Sequence, residues 1–209
     1  MGLVEAQEGE TQVNILAVNT QARVAAVIQT PGRQVSYDGG ARIDGVPGTS
    51  APIAVQFMET VGGVTGAFLP TGNRVDEIDG IAVTCMDVAM PMVIAKAESL
   101  GVTGYETAAE LDENRAFFDQ MEALRQKAGA LMGMGDVTKS VTPKFCLLAP
   151  AKAGGTIATH YFMPWSTHPS MAVTGAQFLA SCVLTPGTCL LYTSPSPRDR
   201  TRSRMPSSA

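Results

Sequence analysis

What this sequence lacks narrows its chemistry before anything present is read. Its 209 residues hold two histidines, one tryptophan and four cysteines, and only 16% of them are charged. Cys85, Cys146, Cys182 and Cys189 are widely spaced, with no Cys-x-x-Cys pair, so neither a disulfide framework nor a zinc site is expected. No apolar run approaches the roughly 20 residues that a membrane-spanning helix needs. The opening MGLVEAQEGE has no basic and hydrophobic leader pattern, and a cytoplasmic setting is the expectation. There is no GxSxG elbow, no GxxxxGK[ST] phosphate loop and no HExxH pair, and the glycines of GGVTGAF lack the spacing of a dinucleotide fingerprint. A formal charge of −4 gives no general attraction for nucleic acid or anionic membrane. An anionic ligand has to be held by local donors.

What is present reads as a β-rich α+β chain. With 45% hydrophobic residues, 21 glycines and 13 prolines, it can bury a core in one or two domains. QVNILAV places Val13, Ile15 and Ala17 on one strand face, RVAAVIQ continues the alternation, and Thr30-Pro31-Gly32-Arg33 is expected to turn into a third strand, QVSY. DGGARIDGVPGTSAP reads as a shaped loop in which Asp44 is a candidate polar group. IAVQFME alternates, GGVTGAFLPTGN is expected to end a short strand in a Gly-rich turn, and IDGIAVTC and PMVIAKA follow as strands. Thr107-Ala108-Ala109-Glu110 fits a capping box, and Phe117, Met121, Leu124, Ala128 and Leu131 recur at helical spacing until Gly133 and Gly135. KFCLLAP and TIATHYFM read as two more strands, and MAVTGAQFLASCVL as a last helix. Strands without intervening helices through the first hundred residues argue against a doubly wound sheet.

Two places can hold a ligand. Pro164 to Met171 lies between a predicted strand and the last helix, where Thr167 or Ser170 is expected to cap. Free N–H groups at a helix start, with the helix dipole, bind a carboxylate without net positive charge. His168 either donates to such a carboxylate or closes the loop on its own backbone, whereas His160 reads as a strand residue. In LPTGN, Thr71 and Asn73 either contact an acidic ligand or bond within a turn relieved by Gly72. The cysteines sit in apolar patterns and read as small buried hydrophobes. No metal site and no cofactor are expected.

In order along the chain, GLVEAQEG, RIDGVPGT, LPTGN, IDGIAVTCMD, LGVTGYE, MGMGDVTKSVTPK and AGGTIATHYFMPWSTHPSMAVTGA resemble the PrpF family. That family includes 2-methylaconitate cis-trans isomerases and 4-oxalomesaconate tautomerases, on a fold like diaminopimelate epimerase. The resemblance implies two domains, each a β-roll around a central helix, with a small unsaturated di- or tricarboxylate in the cleft between them. It implies residues 1–75 as the end of a first domain, a crossover and the start of the second, and 76–189 as the main part of the second. Residues 190–209, with four arginines against one aspartate, resemble translated adapter sequence, and no core and no function are expected of them.

The resemblance further implies that this is an incomplete two-domain isomerase whose catalytic lysine and cysteine belong to an N-terminal domain in cis, near an Asn-Cys-Gly-Asn turn that these residues lack. No catalytic residue is assigned here. Substrate contact is expected from Thr71, Asn73, His168, Ser170 and Met171, and a homodimer is one expected state of assembly. Tautomerase-type relatives carry a His-Arg-Cys-His run where this chain has Trp165, Ser166, Thr167 and His168. TGYE and GDVTKSVTPK lean toward 4-oxalomesaconate, with 2-methylaconitate, or a noncatalytic carboxylate-binding accessory role, as the alternatives.

Overall fold

Strand β1 (Gly9–Ala17) pairs antiparallel with β2 (Ala22–Thr30), Gly9 opposite Thr30, and β2 pairs antiparallel with β3 (Ile53–Met58). These belong to the first of two units, Met1–Thr60 and Val61–Ala209, in a computed structural model that describes residues 4–18, 22–43, 45–152 and 154–189. Asp44 and the tail from residue 190 lie outside the described residues. In the central strand, Ala25 and Ala26 are buried, while Ile15, Ile53, Val55 and Met58 stay exposed. One end of the sheet is closed by hydroxyls: Thr11 and Thr30 bond each other at 2.8 Å, and Thr30 donates to the Gln7 carbonyl at 2.9 Å. The third strand is not QVSY. Pro31–Arg33 forms a 3-10 turn with Gly32 at φ 63, which redirects the chain and leaves Val35 and Tyr37 exposed.

The second unit is one mixed sheet. Its strands are β4 (Asp76–Ile78), β5 (Ile81–Val88), β6 (Met90–Lys96), β7 (Lys144–Pro150), β8 (Ile157–Met163) and β9 (Ser166–Thr167), in that order. All neighbours are antiparallel except β6 and β7, which run parallel with Met92 against Lys144. The crossover between them carries α1 (Ala108–Glu113) and α2 (Arg115–Leu131). Leu111, Phe117, Met121, Leu124 and Ala128 cover one face, against Val93, Ala95, Phe145, Leu147 and Phe162. Phe178, Leu179 and Cys182 of α3 (Val173–Leu184) cover the other, against Met86, Met92, Ile94, Cys146 and Leu148. Coverage on both faces explains why β6 and β7 read as continuous apolar runs rather than alternations. Each such buried Ile or Leu stabilises by about 1.5–3 kcal/mol.

Two local readings change for physical reasons. GGVTGAF is not a strand, because the buried Asp87 carboxylate coils it: one oxygen accepts from Val64 N–H at 2.9 Å, Thr65 N–H at 2.7 Å and the Thr65 hydroxyl at 2.9 Å. The capping box at Thr107 and Glu110 is present. The helix after it is two helices, since Asn114 leaves helical geometry and its side chain caps Phe117 N–H at 3.1 Å. TGYE is a tight turn whose Glu106 carboxylate accepts from the N–H groups of Thr103, Gly104 and Tyr105 at 2.7 to 3.0 Å.

Arg125, fully buried on α2, has all five N–H groups used. Two reach the Glu122 carboxylate at 2.6 and 2.7 Å, and the others reach the carbonyls of Val137, Ser140 and Pro143. The guanidinium therefore fastens residues 137–143 just before β7. Gly129 allows the approach, because a Cβ there would lie 2.6 Å from a Val137 methyl.

Arg125→Met should cost about 3 kcal/mol, since it strands Glu122 and three carbonyls; urea unfolding measures it, and an unchanged midpoint would contradict the role given to this side chain. A second expectation concerns acid. Burial alone would raise the Glu106 carboxyl, but the bonds from Thr103 and Gly104 outweigh it and hold it down to about 2. Its contribution is present above the ordinary carboxylate range and is lost as pH falls through about 2. Glu106→Gln should cost about 1 kcal/mol at neutral pH, allowing for solvent screening, and the gap to wild type should close toward pH 2.

Candidate functional site

The last helix starts without a side-chain cap. Its N-cap is Ala172, in extended geometry, so neither Thr167 nor Ser170 plays the capping part expected of it. Thr167 lies in β9, where its N–H and hydroxyl both donate to Asp112 of α1, at 2.8 and 2.7 Å. Ser170 gives its N–H to His168 Nδ1 at 3.1 Å. Among the described residues, the N–H groups of Val173, Thr174 and Gly175 have no acceptor. Val173 is 61% exposed, whereas Thr174 is half-buried and Gly175 is buried, so the helix start opens to solvent at Val173.

Tyr161 of β8 organises what surrounds the mouth. Its carbonyl accepts His168 N–H at 2.7 Å, and its ring meets the His168 ring edge-on with centroids 5.4 Å apart. Because Nδ1 of His168 is an acceptor, a neutral ring carries its proton on Nε2. The Tyr161 hydroxyl donates to Met90 Sδ at 3.3 Å, and the Thr174 hydroxyl lies 4.0 Å from the same sulfur. Burial raises the Tyr161 phenol above its ordinary range, with Cys146 adding to the effect, so it acts as a neutral donor. Gly175 makes the packing feasible: a Cβ there would lie 2.9 Å from Met171 Sδ and 3.1 Å from the Tyr161 ring.

The structure thus gathers His168, Ser170 and Met171 around Tyr161. Thr71 and Asn73 form a separate group, joined to the first by no hydrogen bond among the described residues. Both donate to the Asp76 carboxylate, at 2.7 and 2.8 Å, and Asn73 N–H also reaches the Thr71 hydroxyl at 3.3 Å. The Thr71 hydroxyl proton and one of the two Asn73 amide N–H donors are thereby occupied within their own turn.

Burial pushes the Cys85 thiol up to about 12, with Asp76 and Cys189 contributing, and the Cys146 thiol also up to about 12. Neither is a thiolate near neutral pH, so neither fits a nucleophile or base. Among the described residues, no group of three or more His, Cys, Asp or Glu side chains is arranged for a metal ion, and no helix is long and apolar enough to cross a membrane. A groove of about 510 Å³ lined by Lys96, Tyr105 and Pro150 lies at the opposite end of β6 and β7 from the helix mouth.

Sequence reading missed Tyr161 and Asp112, whose roles come from contacts made far along the chain; by resemblance it had only placed the segment 86–91, with Met90, near the cleft. It also gave no binding role to Lys144, the half-buried first residue of β7. Burial pushes that ammonium below its ordinary range, and Arg125 adds to the effect.

These features define an α+β protein with an open, donor-rich helix mouth and no complete set of reacting groups among its described residues. The chain belongs to the PrpF family, whose model, described as PrpF protein, matches residues 1–207. It is 48% identical over 187 residues to YbhH of Escherichia coli K12, covering 90% of this chain and 53% of that one. It is 45% identical over 186 residues to a (4E)-oxalomesaconate Delta-isomerase of Novosphingobium sp. KA1, covering 89% and 52%. A crystal structure of methylitaconate-delta-isomerase superposes with a TM-score of 0.79 at 27% identity, over 92% of this chain and 56% of that one. The chain spans about half the length of the curated relatives it matches.

Asp112→Ala should loosen the segment that leads into α3. About 1–2 kcal/mol of stability should be lost, and amide exchange at Thr167 and His168 should quicken; protection as in wild type would show that β9 holds without this carboxylate.

Proposed function

We propose that this chain forms the polycarboxylate-holding part of a cofactor-independent isomerase, one that moves a proton and a double bond in small unsaturated di- or tricarboxylates. The observation that carries the reading is the mouth of α3, where the backbone N–H groups of Val173, Thr174 and Gly175 lack acceptors among the described residues and the turn opens to solvent at Val173. The family's relatives supply the reaction type. Protons beside a double bond conjugated to a carboxylate are acidic, because the carbanion spreads its charge into that group. A base removes one proton and an acid returns it at another carbon, while aligned N–H donors stabilise the delocalised charge. No oxidation state changes, so the reaction calls for no redox cofactor.

In this division of labour the proton is moved by a lysine and a cysteine of a preceding domain, and the protonated thiols here take no part. The same reading takes α3 as the central helix of a roll, residues 1–75 as the end of one domain with the crossover, and 76–189 as the body of the next, in a cytoplasmic protein. It assigns His168, Ser170 and Met171 to the substrate, with the Thr71 and Asn73 turn as a second support.

The substrate is read no more finely than its class. The relatives' names divide between oxalomesaconate and methyl-substituted acids. The two segments leaning toward 4-oxalomesaconate have structural duties: Glu106 folds TGYE on itself, and Arg125 holds residues 137–143. Methyl-substituted acids such as 2-methylaconitate are therefore supported at least as well.

An ultraviolet assay with 2-methylaconitate, methylitaconate and 4-oxalomesaconate tests the proposal on the product of the complete gene and on this chain. The complete product should turn over at least one of them, and this chain should bind without turnover. Equal turnover by this chain would end the proposed division of labour. Binding without turnover by both would favour the accessory-domain alternative, and binding by neither would remove the ligand reading.

A further inference from the structure

Lys144 is the first residue of β7, and Met92 of β6 is its register partner. Along β7, Cys146 and Leu148 pack in the cluster that includes α3, whereas Phe145 and Leu147 pack on the α2 side. Strand periodicity puts Lys144 on the α3 face with them. Tyr161 stands opposite Cys146, and Met90 is two residues before Met92. Ideal spacing then puts the Cα atoms of Lys144 and Met90 about 8 Å apart, taking ~4.8 Å between strands and ~6.6 Å along one, within reach of a flexible four-carbon side chain. Met90 is the residue whose sulfur lies against the Tyr161 and Thr174 hydroxyls in the first turn of α3.

The ammonium there is unmatched. Among the described residues, the Lys144 ammonium has no hydrogen bond and no ion pair, while Lys127 and Arg125 have carboxylate partners in Asp79 and Glu122. Met90, Met171, Tyr161 and Thr174 bring no negative charge to this side of the mouth, and Arg125, which acts on the ammonium from the α2 face, has Glu122 as its own carboxylate partner. Half-burying a cation costs free energy unless an anion offsets it. The helix start nearby favours the same sign of ligand.

We propose that Lys144 is a substrate-binding residue, whose ammonium pairs with one carboxylate of an unsaturated polycarboxylate while the N–H groups of Val173, Thr174 and Gly175 hold another. This rests on the ligand reading above and adds to it a charged residue and a minimum of two carboxylates on the ligand. A monocarboxylate would satisfy either the helix or the lysine.

The test uses the 209-residue chain with cis-aconitate as the probe and crotonate as the monocarboxylate control, by calorimetry at two salt concentrations. Wild type should bind cis-aconitate more tightly than crotonate and more weakly at high salt. Lys144→Met should weaken cis-aconitate about tenfold or more and flatten the salt dependence, and Lys144→Arg should restore most of the affinity. If the methionine variant is misfolded, the Lys144 Nζ resonance of wild type decides instead, because it shifts on ligand addition only if the ammonium meets the carboxylate. Wild-type binding that Lys144→Met leaves unchanged overturns this assignment and spares the ligand reading. No binding by wild type overturns both.

Discussion

Because β6 and β7 run parallel, with Met92 against Lys144, the chain must travel from Lys96 back to the far end of the sheet before it can re-enter. That return trip is the crossover of residues 97–143, and its cost in chain entropy is offset by α1 and α2 lying on the sheet. It ends at the loop that the Arg125 guanidinium holds by three carbonyls. With the loop held, Met90 and Lys144 start their strands at the same end of the sheet. The mouth of α3 faces that end too, through Tyr161 and Met90. The binding surface is thus a consequence of strand direction, and Arg125 acts on it from the opposite face.

If an acidic chain is to hold an acidic ligand, as proposed above, it needs its positive potential concentrated. At the helix mouth this comes from backbone N–H groups, which bring partial charge without adding to the net charge. A half-buried lysine adds one full charge where no carboxylate competes. Elsewhere in the second unit carboxylates are used differently: Asp87, Asp112, Glu106 and Asp76 each gather nearby N–H or hydroxyl donors and shape a loop. None of these four groups supplies donors to the ligand. They supply the loops on which the donors sit.

The strands were legible where partners were close in sequence or where burial was one-sided, as in QVNILAV and RVAAVIQ. KFCLLAP and PMVIAKA were legible too, through continuous apolar runs that two-sided burial requires. Misreadings fall where a distant group overrides local preference. Asp87 reaches back over twenty residues to coil GGVTGAF, and Asp112 takes the Thr167 hydroxyl that local pattern gave to α3. The proposed anion site was half legible. A helix start after a Pro- and Ser-rich loop could be read directly, but the lack of a cap could not, because it depends on where Thr167 and Ser170 find other partners. Lys144 was passed over because its neighbours in sequence say nothing of the face on which β7 places it.

Family-defining segments and specificity-defining ones are different things in this chain. TGYE closes on Glu106, and the residues before β7 close on Arg125, so both segments serve the folding of this chain whatever the ligand is. Groups able to tell a methyl from a keto substituent must instead be exposed or half-buried beside the open N–H groups: Trp165, His168, Met171 and Val173. Three of these four are apolar. A keto oxygen set beside them would find few donors beyond the His168 Nε2 proton and the helix itself, whereas a methyl group would meet surface that water solvates poorly. Discrimination by the apolar side of such a site is worth only about 1–3 kcal/mol per methyl group. On the proposed reading, the acid is selected mainly by its carboxylates, and its substituent only secondarily.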